Sequence, residues 1–213
     1  MPPPDPSLLR AARAHDLTAW DRLLKAHQLP LYTYIAELIR DNTTALDVVQ
    51  ETFASAVRHL ASLRDDTRFT PWLFGIAHQK CAQHFRRKRR TDDRFVENAP
   101  SSTSASDSCS ADAHATPEDL AVDPTDDPLA QLLQREDAEA LFALVEKLPA
   151  PQRSVLLLHI LEEFSLEEIA RITAAPLGTV KSRLHHAKRA LRQLLAAPPA
   201  TSSATPTTQT TAS

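Results

Sequence analysis

Ser165-Leu-Glu-Glu-Ile-Ala-Arg-Ile-Thr-Ala-Ala-Pro-Leu-Gly-Thr-Val-Lys-Ser-Arg-Leu184 is the stretch on which the reading of this chain turns. Ser165 followed three residues later by Glu168 is a capping box: the hydroxyl satisfies an orphan backbone N–H while the carboxylate reaches back. A short helix, Leu166–Ile172, should follow, then a turn through Thr173-Ala-Ala-Pro176 and a long helix from about Gly178 to Leu195. On the second helix Leu177, Val180, Leu184, Ala187, Leu191 and Leu195 form one apolar stripe. Lys181, Ser182, His185, Lys188, Arg189 and Arg192 fall in an arc of roughly 120° on the other side. A bracing helix, a tight turn and a second helix with a basic outer face fit a DNA major groove. The plainer alternative is a solvated helix in an ordinary bundle. The arc holds no acid in a chain otherwise rich in them, which favours the DNA reading.

Upstream, Gln152–Phe164 reads as a strongly apolar helix, punctuated by Pro149 and Pro151 and preceded by helical pattern from Leu129 to Leu148. Between Thr91 and about Pro128 the texture changes to Ser, Thr, Ala, Asp and Pro with almost no large apolar residue. Such a segment buries too little to offset its chain entropy, so a disordered acidic linker is expected there. The Pro/Thr/Ser-rich tail from Pro198 to Ser213 reads the same way.

The first part of the chain, from about Ser7 to Arg90, is a run of helices. Thr18 is placed to cap one, and Pro30 predicts a kink or break in the apolar pattern of Leu31, Tyr34, Ile35 and Leu38. Thr43 or Thr44 should start a helix with Val49, Phe53, Ala56 and Leu60 inward and Asp47, Gln50, Glu51, Ala54 and Arg58 outward. After a polar turn at Arg64-Asp-Asp-Thr67, Thr70 with Pro71 behind it should open a further helix. That helix carries Trp72, Leu73, Ile76, Ala77 and Phe85 and ends in Arg86-Arg-Lys-Arg-Arg90.

Composition narrows the options. The 213 residues include only two glycines, Gly75 and Gly178, which disfavours β-rich folds and phosphate-cradling loops. The expected fold class is all-α. A net charge of −3 hides segregation. Residues 80–94 carry seven Lys or Arg against two acids, and residues 171–192 carry six against none. Residues 91–148 carry fourteen acids against three bases. Two basic blocks around an acidic middle suggest two separate polyanion contacts. Cys81 and Cys109 are too few and too isolated for a disulfide framework, consistent with a reduced compartment. Met1-Pro-Pro-Pro-Asp5 lacks the basic and apolar regions of a signal peptide, and Val155–Leu158 is too short to cross a bilayer. A cytoplasmic protein without membrane insertion is expected.

Four stretches, in order, carry a family resemblance. They are Asp47-Val-Val-Gln-Glu-Thr-Phe53, Phe69-Thr-Pro-Trp-Leu-Phe-Gly-Ile-Ala77 with its basic end, Leu148-Pro-Ala-Pro-Gln-Arg153, and the helix-turn-helix of residues 165–184. Together they resemble an extracytoplasmic-function (ECF) sigma factor of the sigma-70 family. The resemblance implies two small helical domains joined by a long linker: sigma region 2 over residues 18–90, a linker over 91–128 and sigma region 4 over 129–196. Residues 1–17 are then a lead-in and 197–213 a tail.

The resemblance also implies roles. Asp47, Gln50, Glu51 and Phe53 would dock on the clamp helices of core RNA polymerase, and region 4 would meet its flap. Arg64, Phe69, Trp72, Gln79, Lys80, Arg86, Arg87, Arg89 and Arg90 would hold the melted minus-10 element, with residues 61–70 receiving a flipped-out base. Trp72 shares a face with Phe69 and Ile76, so a core role competes with a stacking one. Thr179, Lys181, Ser182, Arg183, His185, His186 and Arg189 would meet the double-stranded minus-35 element. Arg183, at the edge of the apolar stripe, suits a phosphate or structural role. An anti-sigma factor is expected as a further partner; no cofactor, metal or catalytic residue is implied.

Ala174 stands where the family usually has glycine in the turn, so a reshaped turn is expected. Gly75, Gln79 and His186 also depart from common family residues, at positions that help choose bases. Two other readings compete. A helix-turn-helix regulator acting without polymerase explains the C-terminal half but leaves residues 47–53 and 69–90 idle. A metal protein is suggested by His78-x-x-Cys81-x-x-His84, yet three side chains spread over about 120° of a helix are a poor ligand set.

Overall fold

The computed structural model describes residues 4–96 and 138–196. Among these residues the elements are eight α-helices and two short 3-10 turns, with no strand. The region expected to be the acidic linker lies, beyond Val96, outside the described residues up to 137, as does the tail from 197.

Residues that the sequence reading set aside as a lead-in form α1 (Pro6–Arg13). Asp5 caps it by accepting from the Ser7 N–H at 2.8 Å, with Pro6 at the first helical position. Leu9 and Ala12 are fully buried, and the Trp20 indole donates to the Ala12 carbonyl at 3.0 Å, so the helix is anchored at its C-terminal end. Arg13 donates to the Leu63 carbonyl and pairs with Asp66, tying α1 to the loop before α4.

Helix α2 (Leu17–Ile39) runs unbroken through Pro30. A proline inside a helix costs about 3 kcal/mol. Here Leu23 on one side and Leu31, Tyr34 and Ile35 on the other are 0–1% exposed in the same core, so packing holds both halves in line. The expected caps also differ. Asp16 caps α2 and Asp41 caps α3 (Asn42–His59), each accepting from the N–H two residues on. Helix α4 (Phe69–Val96) begins directly from the 3-10 turn Asp66–Arg68, so Thr70 is internal; its hydroxyl lies 3.3 Å from Nε2 of buried His27.

The second body consists of α5 (Ala138–Val145), α6 (Ala150–Leu161), α7 (Leu166–Thr173) and α8 (Leu177–Ala196). Val155, Leu156, Leu157 and Leu158 of α6 are all 0–1% exposed, and each such side chain is worth roughly 1.5–3 kcal/mol of burial. They brace Val180, Ala187 and Leu191 of α8. The two bodies pack on one another, α7 against α4 and α6 against α2, and share one continuous core. At the seam Phe164 meets Phe74 edge-on, ring centroids 5.3 Å apart.

Candidate nucleic-acid interface

The helix-turn-helix forms as its capping box requires. The Ser165 N–H donates to Glu168 Oε2 at 2.9 Å and the Glu168 N–H donates to Ser165 Oγ at 3.3 Å. Ala174 ends α7 in the left-handed region at φ 50°, ψ 39°. The turn is therefore not reshaped around the missing glycine; alanine adopts the glycine conformation and carries the strain. Two carbonyls at the end of α7, those of Ala170 and Arg171, accept from the Ala174 N–H.

On α8 Lys181 and Arg189 are exposed, while Thr179, Ser182, His185 and His186 are half-buried. Ser182 donates to the Thr179 carbonyl at 3.0 Å, and the two imidazoles meet edge-on at 5.8 Å. Arg183 is also half-buried, but it points elsewhere. It lines a cleft of about 1190 Å³ between α4 and the helix-turn-helix, together with Arg68, Trp72, Gln79, Arg86 and Arg171. Among the described residues no acid lines this cleft, and four guanidinium groups surround a partly apolar floor built from Pro71, Trp72 and Ile76. Its field suits a polyanion.

Helix α4 presents the other basic surface. Arg86, Arg87, Arg89 and Arg90 are exposed along one end, and Arg64 is exposed in the preceding loop. Gln79 is exposed and Trp72 half-buried, with one side on the cleft and the other on Phe69 at 5.9 Å. Core and stacking roles are thus both open to Trp72. Phe69 is different: at 2% exposure, wedged against His27 at 5.2 Å, its ring belongs to the core and no base can reach it in this arrangement. Lys80 pairs with Glu51 at 3.1 Å, so one residue expected on DNA is tied to one expected on polymerase.

On α3 Asp47, Gln50 and Glu51 are exposed together, with Phe53 half-buried beside them. Leu46 and Val57, 50% and 42% exposed, extend this face at both ends. Sequence reading missed both, although apolar residues outside the inward stripe of α3 were the available signal. It also missed Arg68 and Arg171, which meet only because the two bodies pack.

The three side chains weighed and rejected as a metal set also face different partners. His78 Nδ1 faces the Tyr34 hydroxyl, Cys81 is fully buried, and His84 stacks edge-on with Phe85. Burial pushes the Cys81 thiol up to about 12, the opposite of what a thiolate ligand needs. No helix among the described residues is long and apolar enough to cross a membrane.

Two family profiles match this chain: one described as Sigma-70 region 2 over residues 23–91, and one described as Sigma-70, region 4 over residues 138–191. The RNA polymerase sigma-H factor of Pseudomonas aeruginosa is 30% identical over 192 residues, covering 90% of this chain and 93% of that protein. The ECF RNA polymerase sigma-E factor of Escherichia coli is 29% identical over 187 residues, covering 88% and 92%. Among solved structures, CnrH in complex with the cytosolic domain of CnrY aligns with a TM-score of 0.57 at 22% identity, over 88% of this chain and 94% of that one. The sigma factor RpoE of Bartonella quintana, solved with the anti-sigma factor NepR, aligns with a TM-score of 0.60 at 22% identity, over 84% and 98%. These two share the fold.

Proposed function

This chain belongs to the sigma-70 family of RNA polymerase sigma factors as a small ECF-type member, and from that premise we propose how its surfaces divide the work of promoter recognition. The α3 face of Leu46, Asp47, Gln50, Glu51, Phe53 and Val57 docks on the clamp helices of core polymerase, and the second body meets the flap. Arg64, Trp72, Gln79, Lys80 and the basic run Arg86, Arg87, Arg89 and Arg90 hold the non-template strand of the minus-10 element. Lys181, Ser182, His185 and His186 read the minus-35 duplex in the major groove. Thr179 and Arg189 add phosphate contacts, while Arg183, turned into the cleft, takes the structural alternative.

The physical basis is strand capture. A factor that opens DNA without ATP must offset lost stacking by binding unstacked bases and exposed phosphates. Stacking on an aromatic surface is worth roughly 1–3 kcal/mol per base, and a basic groove tracks the backbone. The single observation that carries the proposal is the pairing of two basic surfaces, α4 and α8, on two separately capped helical bodies. Neither surface alone accounts for both.

RNA synthesis belongs to the core enzyme, so no catalytic residue or cofactor is assigned to this chain. Its place of action is the cytoplasm, where polymerase and chromosome are. An anti-sigma factor completes the set of partners, in keeping with the complex in which RpoE of Bartonella quintana was solved with the anti-sigma factor NepR. Purified core polymerase supplemented with this chain tests the proposal: start sites should appear at defined genomic positions that core alone does not use.

A further inference from the structure

Gly75 has no local reason to be glycine. It lies in the interior of α4, where glycine weakens a helix, and its φ is not positive. Crowding does not require it either, since a Cβ there would meet nothing within 4 Å. What the missing side chain does is leave the floor of the cleft flat beside Trp72. Trp72, Gly75, Gln79 and Arg86 fall on one face of α4, and all four line the cleft.

The walls are cationic. Arg171 and Arg183 line the cleft from the helix-turn-helix, with Arg86 on α4 and Arg68 just before it. Arg68 is engaged by Asp65 at 3.0 Å, and Arg171 gives only its Nε to the Glu167 carbonyl at 3.2 Å. No ion pair among the described residues engages Arg86, Arg171 or Arg183. Three guanidinium groups are thus gathered around one space with no carboxylate in its lining, and a bound anion relieves their mutual repulsion. At about 1190 Å³ the cleft is large enough for a small ligand, whose pockets run to roughly 300–1,000 Å³.

We infer that this cleft is a binding site for a small planar anion of the nucleoside diphosphate class. The ring stacks on Trp72 over the bare floor at Gly75, and the phosphates lie among Arg86, Arg171 and Arg183. Tryptophan offers a broad face for a base, and guanidinium groups hold phosphate through paired N–H donors. A nucleoside diphosphate carries about three negative charges near neutral pH, which matches the three guanidinium groups outside any ion pair. A DNA strand spreads its charge at one phosphate per base, whereas the diphosphate brings it to one point. The Gln79 amide, on the same floor, has the donor and acceptor that complement the adenine edge, so ADP is the probe. The site goes beyond the promoter surfaces proposed above and does not depend on them.

Calorimetric titration of the full-length chain with ADP, inorganic pyrophosphate and adenosine, in magnesium-free buffer, tests it. ADP should bind one-to-one and at least about tenfold more tightly than either fragment, because ring and phosphates are held at once. Gly75→Leu fills the floor and should weaken ADP about tenfold or more while leaving pyrophosphate binding as it was. Leucine is the better helix former, so this variant should melt no lower than wild type. Arg171→Ala and Arg183→Ala should each weaken ADP about three- to tenfold. Arg22→Ala, at an exposed arginine outside the cleft, should leave ADP binding unchanged. Absence of ADP binding would overturn the site. So would ADP binding that survives Gly75→Leu or both arginine variants, or pyrophosphate held as tightly as ADP. A single-stranded minus-10 oligonucleotide that binds where ADP does not would also overturn it, leaving the cleft to the strand alone. Start-site mapping with core polymerase tests the promoter surfaces separately, and its failure would leave the ADP result standing.

Discussion

The Tyr34 hydroxyl of α2 lies 2.9 Å from Nδ1 of His78 on α4, joining the two longest helices of the first body through one buried polar pair. Burial, with Arg183 nearby, pushes the His78 imidazole down to about 4, so it is neutral near pH 7, and in the Nε2–H tautomer its Nδ1 accepts a hydrogen bond from the phenol O–H. Tyr34→Phe leaves that nitrogen without its partner and should cost about 1–2 kcal/mol in urea unfolding.

The same pair sets a pH dependence. A histidine whose folded value lies below its ordinary 6.5 supports the fold fully above 6.5, and that support is lost as pH falls toward about 4. Glu162, 5% exposed at the end of α6, does the reverse: burial raises its carboxyl to about 7. Its protonated form suits the fold, so stability is greatest below 4.5 and lost as pH rises through about 7, by something on the order of 3 kcal/mol. The two slopes oppose each other between pH 4.5 and 6.5. Urea titrations across that range should show a shallow profile for wild type. Glu162→Gln should unmask the acid-side loss and His78→Gln the alkaline-side loss.

Ala174→Gly relieves the left-handed strain at the turn and should stabilise the second body by up to about 1 kcal/mol, less the extra entropy glycine brings to the unfolded chain. Thermal melts of the full chain would show it as a higher midpoint without a change of slope.

How much was legible in the sequence follows from where the information lies. The helix-turn-helix emerged within a residue or so of its observed bounds, because a capping box and a long apolar stripe are local signals that agree. The caps of α2 and α3 were misread by two or three residues, since threonines followed aspartates that cap better. Pro30 misled because the burial that overrides it, by Tyr34 and Ile35, is set by α3 and α4. The cleft was invisible. Phe164 meets Phe74 and Arg40 meets Glu146 across about half the chain, and periodicity reports only which face of its own helix a residue shares. The family resemblance placed Phe69 among the strand-capturing residues without regard to its packing, and the limit of periodicity left Arg68 and Arg171 off the candidate surfaces.

On α8 the proposed division of labour in duplex reading is measurable. Lys181→Ala, near the N-terminal end of α8, should relax sequence discrimination at the minus-35 element, where recognition helices touch base edges. Arg189→Ala should instead weaken binding about equally on all sequences and lower the slope of log affinity against log salt by about one. Anisotropy titrations on matched and scrambled duplexes at several salt concentrations separate the two.

The central claim is that the helices of residues 17–96 grip the transcription machinery and hold separated strands while the helix-turn-helix anchors upstream. Its most direct test is transcription in vitro by purified core polymerase and this chain on a library of genomic fragments, with start sites sequenced. The account predicts discrete, chain-dependent starts sharing a two-part upstream motif, lost in Gln50→Ala/Glu51→Ala. A chain that binds duplex DNA but neither joins core polymerase nor creates any new start site would contradict it.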